Sequence, residues 1–164
     1  MDCRQICEEK LKKQLQPLQA YLCGVAARSA ANFDAKGNST AMSIDRILPD
    51  GVSPHPMFTP VVKAGPTVYI AGQVARDVAG NLVGRGDIAA QAEQVFRNLK
   101  AALGAAGAGY EHLVSITIYL TDARFREPFN QVQRSVLLDS LPASTMVIVA
   151  GLAQPDYLVE VDAV

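Results

Sequence analysis

The sequence predicts that residues 42–164 form one α/β (α+β) domain, in which a single sheet carries two helices on one face. Three observations lead to this prediction. Residues 113–121 (LVSITIYLT) alternate strictly between apolar and polar side chains, as in a strand with one buried face. Apolar residues recur at helical spacing in two segments, and β-prone segments lie before, between and after them. The predicted order of elements is therefore β-β-α-β-α-β-β.

The first half of this order is a hairpin followed by a helix. Residues 58–64 (FTPVVKA) and 67–71 (TVYIA) are β-prone, and Gly65 with Pro66 predicts a turn between them. Residues 77–86 are rich in glycine and predict a loop, after which Asp87 is a suitable helix N-cap. The helix then carries an apolar stripe and stops at glycines 104, 107 and 109; the stripe consists of Ile88, Ala92, Val95, Phe96, Leu99 and Leu103.

The second half supplies another helix and three strands. Residues 145–150 and 157–163 are predicted strands, and the second helix buries Phe125, Phe129, Val132 and Val136. Each strand–helix–strand crossover favours parallel pairing and places both helices on the same face of the sheet. No third helix remains in the domain to cover the other face, which is partly apolar. We therefore expect self-association through that face.

The charge balance argues against a polyanionic partner. Fifteen Lys and Arg residues against 16 Asp and Glu leave a net charge of -1, too little to draw the chain onto a nucleic acid. No apolar run approaches the roughly 20 residues that span a bilayer, and no signal-peptide pattern is present. We therefore expect a cytoplasmic protein with no membrane partner. Cys3, Cys7 and Cys23 all precede the domain, which has no cysteine for a disulfide or a thiolate metal site.

Residues 1–41 differ in character from the domain. Leu11, Leu15, Leu18 and Leu22 would share one face of a helix, but Pro17 would kink or end it. Residues 32–41 (NFDAKGNSTA) have the composition of a linker. We interpret residues 1–41 as an N-terminal extension or a segment added by cloning. The alternative is a native arm that docks on a neighbouring subunit.

Several short motifs of the domain resemble, in order and spacing, the pattern of the Rid family (YjgF-like, reactive-intermediate deaminases). They are VKAG at 62–65, VYIAGQ at 68–73, NLK at 98–100, TIYLTD at 117–122, FN at 129–130, PAST at 142–145, Val147, Val149 and VEVDA at 159–163. The resemblance implies a chorismate-mutase-like fold and a homotrimer whose three sheets form a central barrel. It also implies clefts between subunits in which enamines and imines are hydrolysed without a metal or other cofactor.

The chain departs from the family pattern at three positions of the implied cleft. The family's Pro-Ala-Arg-Ser/Thr is Pro-Ala-Ser-Thr here, so Ser144 replaces the arginine that forks onto the substrate carboxylate. Loss of one partner of a desolvated ion pair costs about 2 to 5 kcal/mol. Phe58 replaces a tyrosine, and Ala71 replaces a serine. These changes indicate a diverged subfamily with weak or absent activity on 2-iminopropionate.

The same resemblance assigns the candidate site residues. Glu160 would position the attacking water, and Gly72 would offer its backbone N–H to a developing oxyanion. The alternatives are a solvent-facing or interface acid for Glu160 and a bulge or turn glycine for Gly72. The residues expected to contact substrate are Phe58, Ala71, Gln73, Tyr119, Asn130, Ser144 and Met146. The alternative for Gln73 and Asn130 is a hydrogen bond to the local backbone, which is the favoured role for Gln73. His55 and His112 lack a second ligand at metal spacing, so both are expected at the surface and no metal site is predicted.

Three functions fit these observations. The first is a hydrolase of imines, enamines or related small unsaturated metabolites. The second is a non-catalytic trimer that binds a small metabolite between subunits and regulates a partner. The third is an endoribonuclease or translation inhibitor, which the balanced charge and the lack of a basic, aromatic cluster make the least favoured.

The boundary at Met42 can be tested by truncation. A chain that begins at Met42 should keep its fold, its oligomeric state and its thermal midpoint, because the predicted core lies wholly in residues 42–164. Circular dichroism and light scattering of the truncated chain would measure all three. An insoluble or monomeric product would show that residues 1–41 are part of the assembly.

Overall fold

The computed structural model describes residues 42–164 and, before them, only two short strands. These are β1 (Asn32–Phe33) and β2 (Ser39–Thr40), which form a short antiparallel ladder within the predicted linker. The chain divides into two units, residues 1–42 and residues 43–164. The leucine stripe at residues 11–22 and the three cysteines lie outside the described residues.

The second unit is built on one six-stranded sheet with the spatial order β3-β4-β5-β8-β6-β7. All neighbours are antiparallel except β6 and β7, which are parallel. The strands are β3 (Ile44–Ile47), β4 (Val61–Ala64), β5 (Thr67–Val74), β6 (Ser115–Leu120), β7 (Ala143–Ile148) and β8 (Val159–Ala163). The predicted hairpin is β4–β5, and Gly65 at its turn has a φ of 59°, a conformation that glycine adopts freely.

Two helices cover one face of this sheet. They are α1 (Ile88–Ala105) and α2 (Arg126–Leu137), and single 3₁₀ turns precede β6 and α2 at Tyr110–His112 and Ala123–Phe125. The carboxylate of Asp87 accepts hydrogen bonds from the backbone N–H groups of Ala89 and Ala90 at 3.0 and 3.1 Å, so the predicted N-cap is confirmed.

The core lies between the two helices and the sheet. Every residue of the predicted α1 stripe is buried, and the rings of Phe96 and Phe129 meet at a centroid distance of 5.8 Å. On the sheet side the core contains Val61, Ile70, Ile116, Ile118, Leu120, Val159, Val161 and Ala163. Fully burying one such side chain stabilises the fold by about 1.5 to 3 kcal/mol. The packing of α1 and α2 on the same face confirms the predicted layer arrangement.

The predicted order of elements is confirmed, with one strand added. Strand β3 was not predicted, because its sequence IDRI is short and half charged. The predicted parallel pairing holds directly for β6 and β7, whereas β5 and β6 run in the same direction with β8 between them. The predicted strand at 157–163 begins only at Val159, and Tyr157 is buried in the preceding loop.

The face of the sheet opposite the helices, called the open face below, is uncovered in the described part of the chain. Tyr69 and Ile44 are about half exposed there, and Val147 is 38% exposed. Thr117, Tyr119, Glu160 and Asp162 add a polar group, since they alternate with buried residues of β6 and β8. Among residues 42–164, neither helix is long and apolar enough to cross a membrane.

Candidate functional site

Gly72 lies in a β-bulge between β5 and β8. Ile70 pairs with Ala163 and Gln73 pairs with Val161, so two residues of β5 oppose the single Asp162 of β8. A Cβ atom built on Gly72 would come within 1.8 Å of Oε1 of Glu160. Any side chain at position 72 would therefore require the Glu160 carboxyl group to move. The bulge that sequence reasoning offered as the alternative role of Gly72 is present, and it brings the backbone of Gly72 against Glu160.

Glu160 is half-buried on the open face. It lies beside Val74 of β5 and Tyr119 of β6, in register with both. Burial raises the pKa of its carboxyl group above the ordinary value, and the charge of Asp162 raises it further. An upward shift of this kind moves a carboxyl group towards the pH range in which it can both accept and return a proton.

Tyr119 and Asp162 form a polar contact beside Glu160. The Tyr119 hydroxyl donates a hydrogen bond to Oδ2 of Asp162 at 3.0 Å. This hydrogen bond and the charge of Asp162 raise the pKa of Tyr119. The contact fixes the direction of the Asp162 carboxylate, whose charge acts on Glu160. The hydrogen bond to Tyr119 fits a structural role for Asp162.

Gln73 and Ala71 support the bulge. The Gln73 side chain is buried, and its Nε2 donates to the carbonyl oxygen of Ala71 at 2.8 Å. The Ala71 N–H donates in turn to the carbonyl of Pro60 at 2.9 Å. Gln73 thus makes the local backbone contact that was the alternative to substrate binding.

Phe58 lies at a small pocket on the other side of Gly72. The pocket has a volume of about 40 Å³, and Gly72 and Gln73 form part of its wall. The Phe58 ring is 48% exposed and stacks on the ring of His55 at a centroid distance of 4.2 Å. The expectation that His55 is a surface residue is only partly right, because His55 is half-buried and lines this pocket.

Sequence reasoning also missed Arg76, Asn98 and Ser53, which line the same pocket. Asn98 is buried on α1, and its Nδ2 donates to the carbonyl oxygens of Val74 and Arg76 at 3.0 and 2.9 Å. The sequence signal for Asn98 was the NLK motif, which places this polar residue next to the apolar stripe of α1. Loop residues 52–58 carry no periodic pattern, so nothing in the sequence indicated that they fold against β5. Within residues 42–164, no three His, Asp or Glu side chains converge to hold a metal ion.

The remaining predicted residues lie elsewhere on the chain. Ser144 is exposed on β7 and lies beside Ile116, whose side chain is buried on the helix side of the sheet. Met146 follows on the same side of β7 and packs against the core, and Asn130 is half-buried on α2. Glu160 instead faces the open side, and β6 separates β8 from β7. The predicted site residues of one chain therefore form two groups that cannot contact one small ligand.

Replacing Glu160 by glutamine tests its burial. Glu160 binds its proton more tightly in the folded protein than in the unfolded chain, because its pKa is raised by folding. Its contribution to stability is therefore fully present below the ordinary pKa of 4.5. That contribution is lost as the pH rises through the pKa of the folded protein. The variant Glu160→Gln should have a higher free energy of unfolding than the wild type at about pH 7.5, and the difference should vanish below about pH 4. Urea denaturation at the two pH values measures this. The control Glu93→Gln, on the exposed face of α1, should show no such pH-dependent gain; a pH-independent effect at Glu160 would contradict the burial argument.

Comparison with known proteins identifies the family. Residues 50–164 match the family profile described as endoribonuclease L-PSP. The chain is 34% identical over 114 residues to a RutC family protein of Pyrococcus horikoshii, covering 68% of this chain and 90% of that protein. It is 32% identical over 113 residues to a 2-iminobutanoate/2-iminopropanoate deaminase of Dermatophagoides farinae, covering 68% and 88% of the two chains. The crystal structure of RidA from an Antarctic Psychrobacter superimposes with a TM-score of 0.68 at 35% identity, covering 73% of this chain and 96% of that one. The chain therefore belongs to the Rid family, also described as the endoribonuclease L-PSP or YjgF-like family.

Proposed function

We propose that the protein is a cytoplasmic hydrolase of imines or enamines, active at a cleft between two copies of the chain. The observation that carries this proposal is the half-buried carboxyl group of Glu160, which lies directly against the backbone of Gly72. The name of the Dermatophagoides farinae relative, a 2-iminobutanoate/2-iminopropanoate deaminase, supports the same class of reaction.

The proposed reaction is the addition of water to a C=N bond. The substrate carbon would lie near the bulge at Gly72, where backbone groups outside the regular ladder can bind a polar atom of the substrate. The substrate reacts as its iminium ion, whose nitrogen already carries the extra proton. Glu160 as a carboxylate takes one proton from water while the water oxygen bonds to the carbon and the C=N electron pair moves to the nitrogen, which gives a neutral carbinolamine. Glu160 then gives its proton to the amine nitrogen. The C–N bond breaks as the carbinol hydroxyl returns its proton to Glu160 and from there to solvent, which releases ammonia and a carbonyl compound. A raised pKa suits Glu160 to these proton transfers.

The separation of the predicted residues favours a second copy in the site. Glu160, Gly72 and Phe58 lie around β5 and β8, whereas Ser144, Met146 and Asn130 belong to β7 and α2. Because the two groups occupy different parts of one chain, a ligand can contact both only if they come from different copies. The exposed apolar residues of the open face support assembly through that face. We propose a homotrimer with three such clefts.

Ser144 determines which substrates this cleft accepts. A hydroxyl group cannot supply the charge-assisted fork that a guanidinium gives to a carboxylate. We therefore propose that the substrate is larger than a 2-imino acid such as 2-iminopropanoate, or carries no carboxylate at the carbon next to the imine.

A non-catalytic role is the second candidate. The exposed Ser144 side chain, the missing hydroxyl at Phe58 and the missing hydroxyl at Ala71 each remove a polar contact from the cleft. A cleft of this kind would still bind a small, weakly polar metabolite between subunits and could regulate a partner in that state.

The oligomeric state is the first test of the proposal. Sedimentation or light scattering should give about three times the chain mass of 17.5 kDa, because the open face must be covered. The measurement should be made at micromolar protein concentration. A monomer under these conditions would remove the intersubunit cleft and every role assigned to it.

The substitution Ser144→Arg tests the chemistry. The wild type should release ammonia from freshly generated 2-iminopropanoate only slowly, and the arginine variant should be at least about tenfold faster, since the fork restores carboxylate binding. Ammonia release at saturating imine generation measures both rates. Restoration should be partial, because Phe58 still lacks the hydroxyl group.

Two further variants control this experiment. Ser144→Lys supplies a positive charge without the planar fork and should gain less than Ser144→Arg. The double variant Ser144→Arg with Glu160→Ala should lose the gain. Fast turnover by the wild type would refute the assigned importance of Ser144, and no gain in the arginine variant would favour the binding role.

A further inference from the structure

Arg76 is a half-buried cation that has no ionic partner among residues 42–164. Its Nε donates to the carbonyl oxygen of Gly80 at 3.1 Å, which leaves the Nη groups available. Within residues 42–164, no carboxylate oxygen lies within 4.0 Å of this guanidinium. The neighbouring Asp77 carboxylate is occupied by its own turn, where it accepts from the backbone N–H and Nδ2 of Asn81 at 2.8 and 3.1 Å. A half-buried charge of this kind is normally paired, so an anion from outside the chain would complete it.

Two other donors lie at the same pocket as Arg76. The backbone N–H of Met57 donates to Nδ1 of His55 at 3.2 Å, so the ring proton resides on Nε2. The Ser53 hydroxyl lies 3.4 Å, and Nη2 of Arg76 lies 2.6 Å, from the Cβ position that Gly80 leaves empty. Arg76, His55 and Ser53 all line the pocket. A guanidinium, an imidazole N–H and a hydroxyl are together suited to the oxygens of one anion.

The size of the pocket limits the anion. A cavity needs roughly 10 to 15 Å³ of this kind of volume to hold one water. The pocket, at about 40 Å³, therefore has room for about three heavy atoms, the number in a carboxylate group. Phe58, Pro60 and Val52 are also part of the wall, together with Gly72, Gln73, Val74 and Asn98. The three apolar side chains would contact the carbon chain attached to the carboxylate.

We propose that this pocket binds the carboxylate group of the substrate, with Arg76, His55 and Ser53 as its hydrogen-bond donors. The inference deepens the proposed function and rests on it for the position of the reacting carbon near Gly72. A carboxylate held here lies in the pocket that Phe58 and Gly72 both line, and it is bound by residues other than Ser144. The substrate class is then an imine or enamine whose acid group is separated from the C=N carbon by a short apolar chain.

Butanoate binding to the full chain tests this proposal without turnover. The sequence contains two histidines, so the imidazole C–H signals of His55 and His112 can be assigned in a proton NMR spectrum with a His112→Gln variant. Butanoate should shift the His55 signal saturably and leave the His112 signal in place. The neutral analogue butanamide, at the same concentrations, should not shift the His55 signal. A His55 signal that does not shift with butanoate, or that shifts equally with butanamide, would overturn the proposal.

Matched arginine variants test whether the charge of Arg76 binds the carboxylate. Arg76→Gln should raise the Kd for butanoate at least about tenfold, whereas Arg97→Gln, on the exposed side of α1, should leave it unchanged. If Arg76→Gln unfolds because the contact to Gly80 is lost, Arg76→Lys keeps the charge without the fork and should bind several-fold more weakly than the wild type. An unchanged Kd in a folded Arg76 variant would refute the role of Arg76. Because ammonia release by the Ser144→Arg variant is measured separately, failure of the binding test and failure of the proposed hydrolysis remain distinguishable.

Discussion

The position of strand β8 between β5 and β6 determines where both the core and the candidate site lie. Its pairing joins the antiparallel half of the sheet, β3 to β5, to the parallel pair β6 and β7. Val159, Val161 and Ala163 point towards the helices and are buried, while Glu160 and Asp162 alternate with them on the open face. The residues that hold the two halves together therefore also fix the two carboxyl groups. A shift of this strand by one residue would bury both acids under the helices, which the desolvation of two charges forbids.

The bulge in β5 determines where the carboxyl group of Glu160 lies and how much solvent it loses. Glu160 is paired with Val74, and its carboxyl group reaches over the bulge into the space that a Cβ on Gly72 would occupy. Glu160 loses solvent as a result, and the neighbouring Asp162 adds like charge. The Tyr119 hydroxyl offsets part of this cost through its hydrogen bond to Asp162. A half-buried acid held on a strand is a better-defined reactive group than one carried by a loop.

Local patterns in the sequence predicted the helices and most of the strands, because periodicity is a property of neighbouring residues. The stripe from Ile88 to Leu103 and the alternation of Ile116, Ile118 and Leu120 are examples. The insertion of β8 between β5 and β6 could not be read in the same way, since it depends on pairing between distant segments. The separation of Ser144 from Glu160 follows from that strand order. Arg76 and His55 lie in loops whose path is set by tertiary packing. No pattern in the sequence could therefore predict that they line the same pocket. The motif resemblance identified the family, and the residues assigned through it fall into two distinct places on the chain.

The strand order also has a consequence for how the chain reaches its native state. The hairpin β4–β5 and the unit β6–α2–β7 each contain contacts between near neighbours and can form early. Pairing of Ile70 with Ala163 closes residues 70–163, about three quarters of the domain, into one loop. The entropy cost of closing this loop must be met before the contacts of β8 stabilise the fold. We therefore expect two preformed halves to wait for β8, each with an unpaired strand edge, and the docking of this strand to limit the folding rate. Amide hydrogens of β8 should be protected last during refolding and should report on cooperative opening of the whole sheet in the native state.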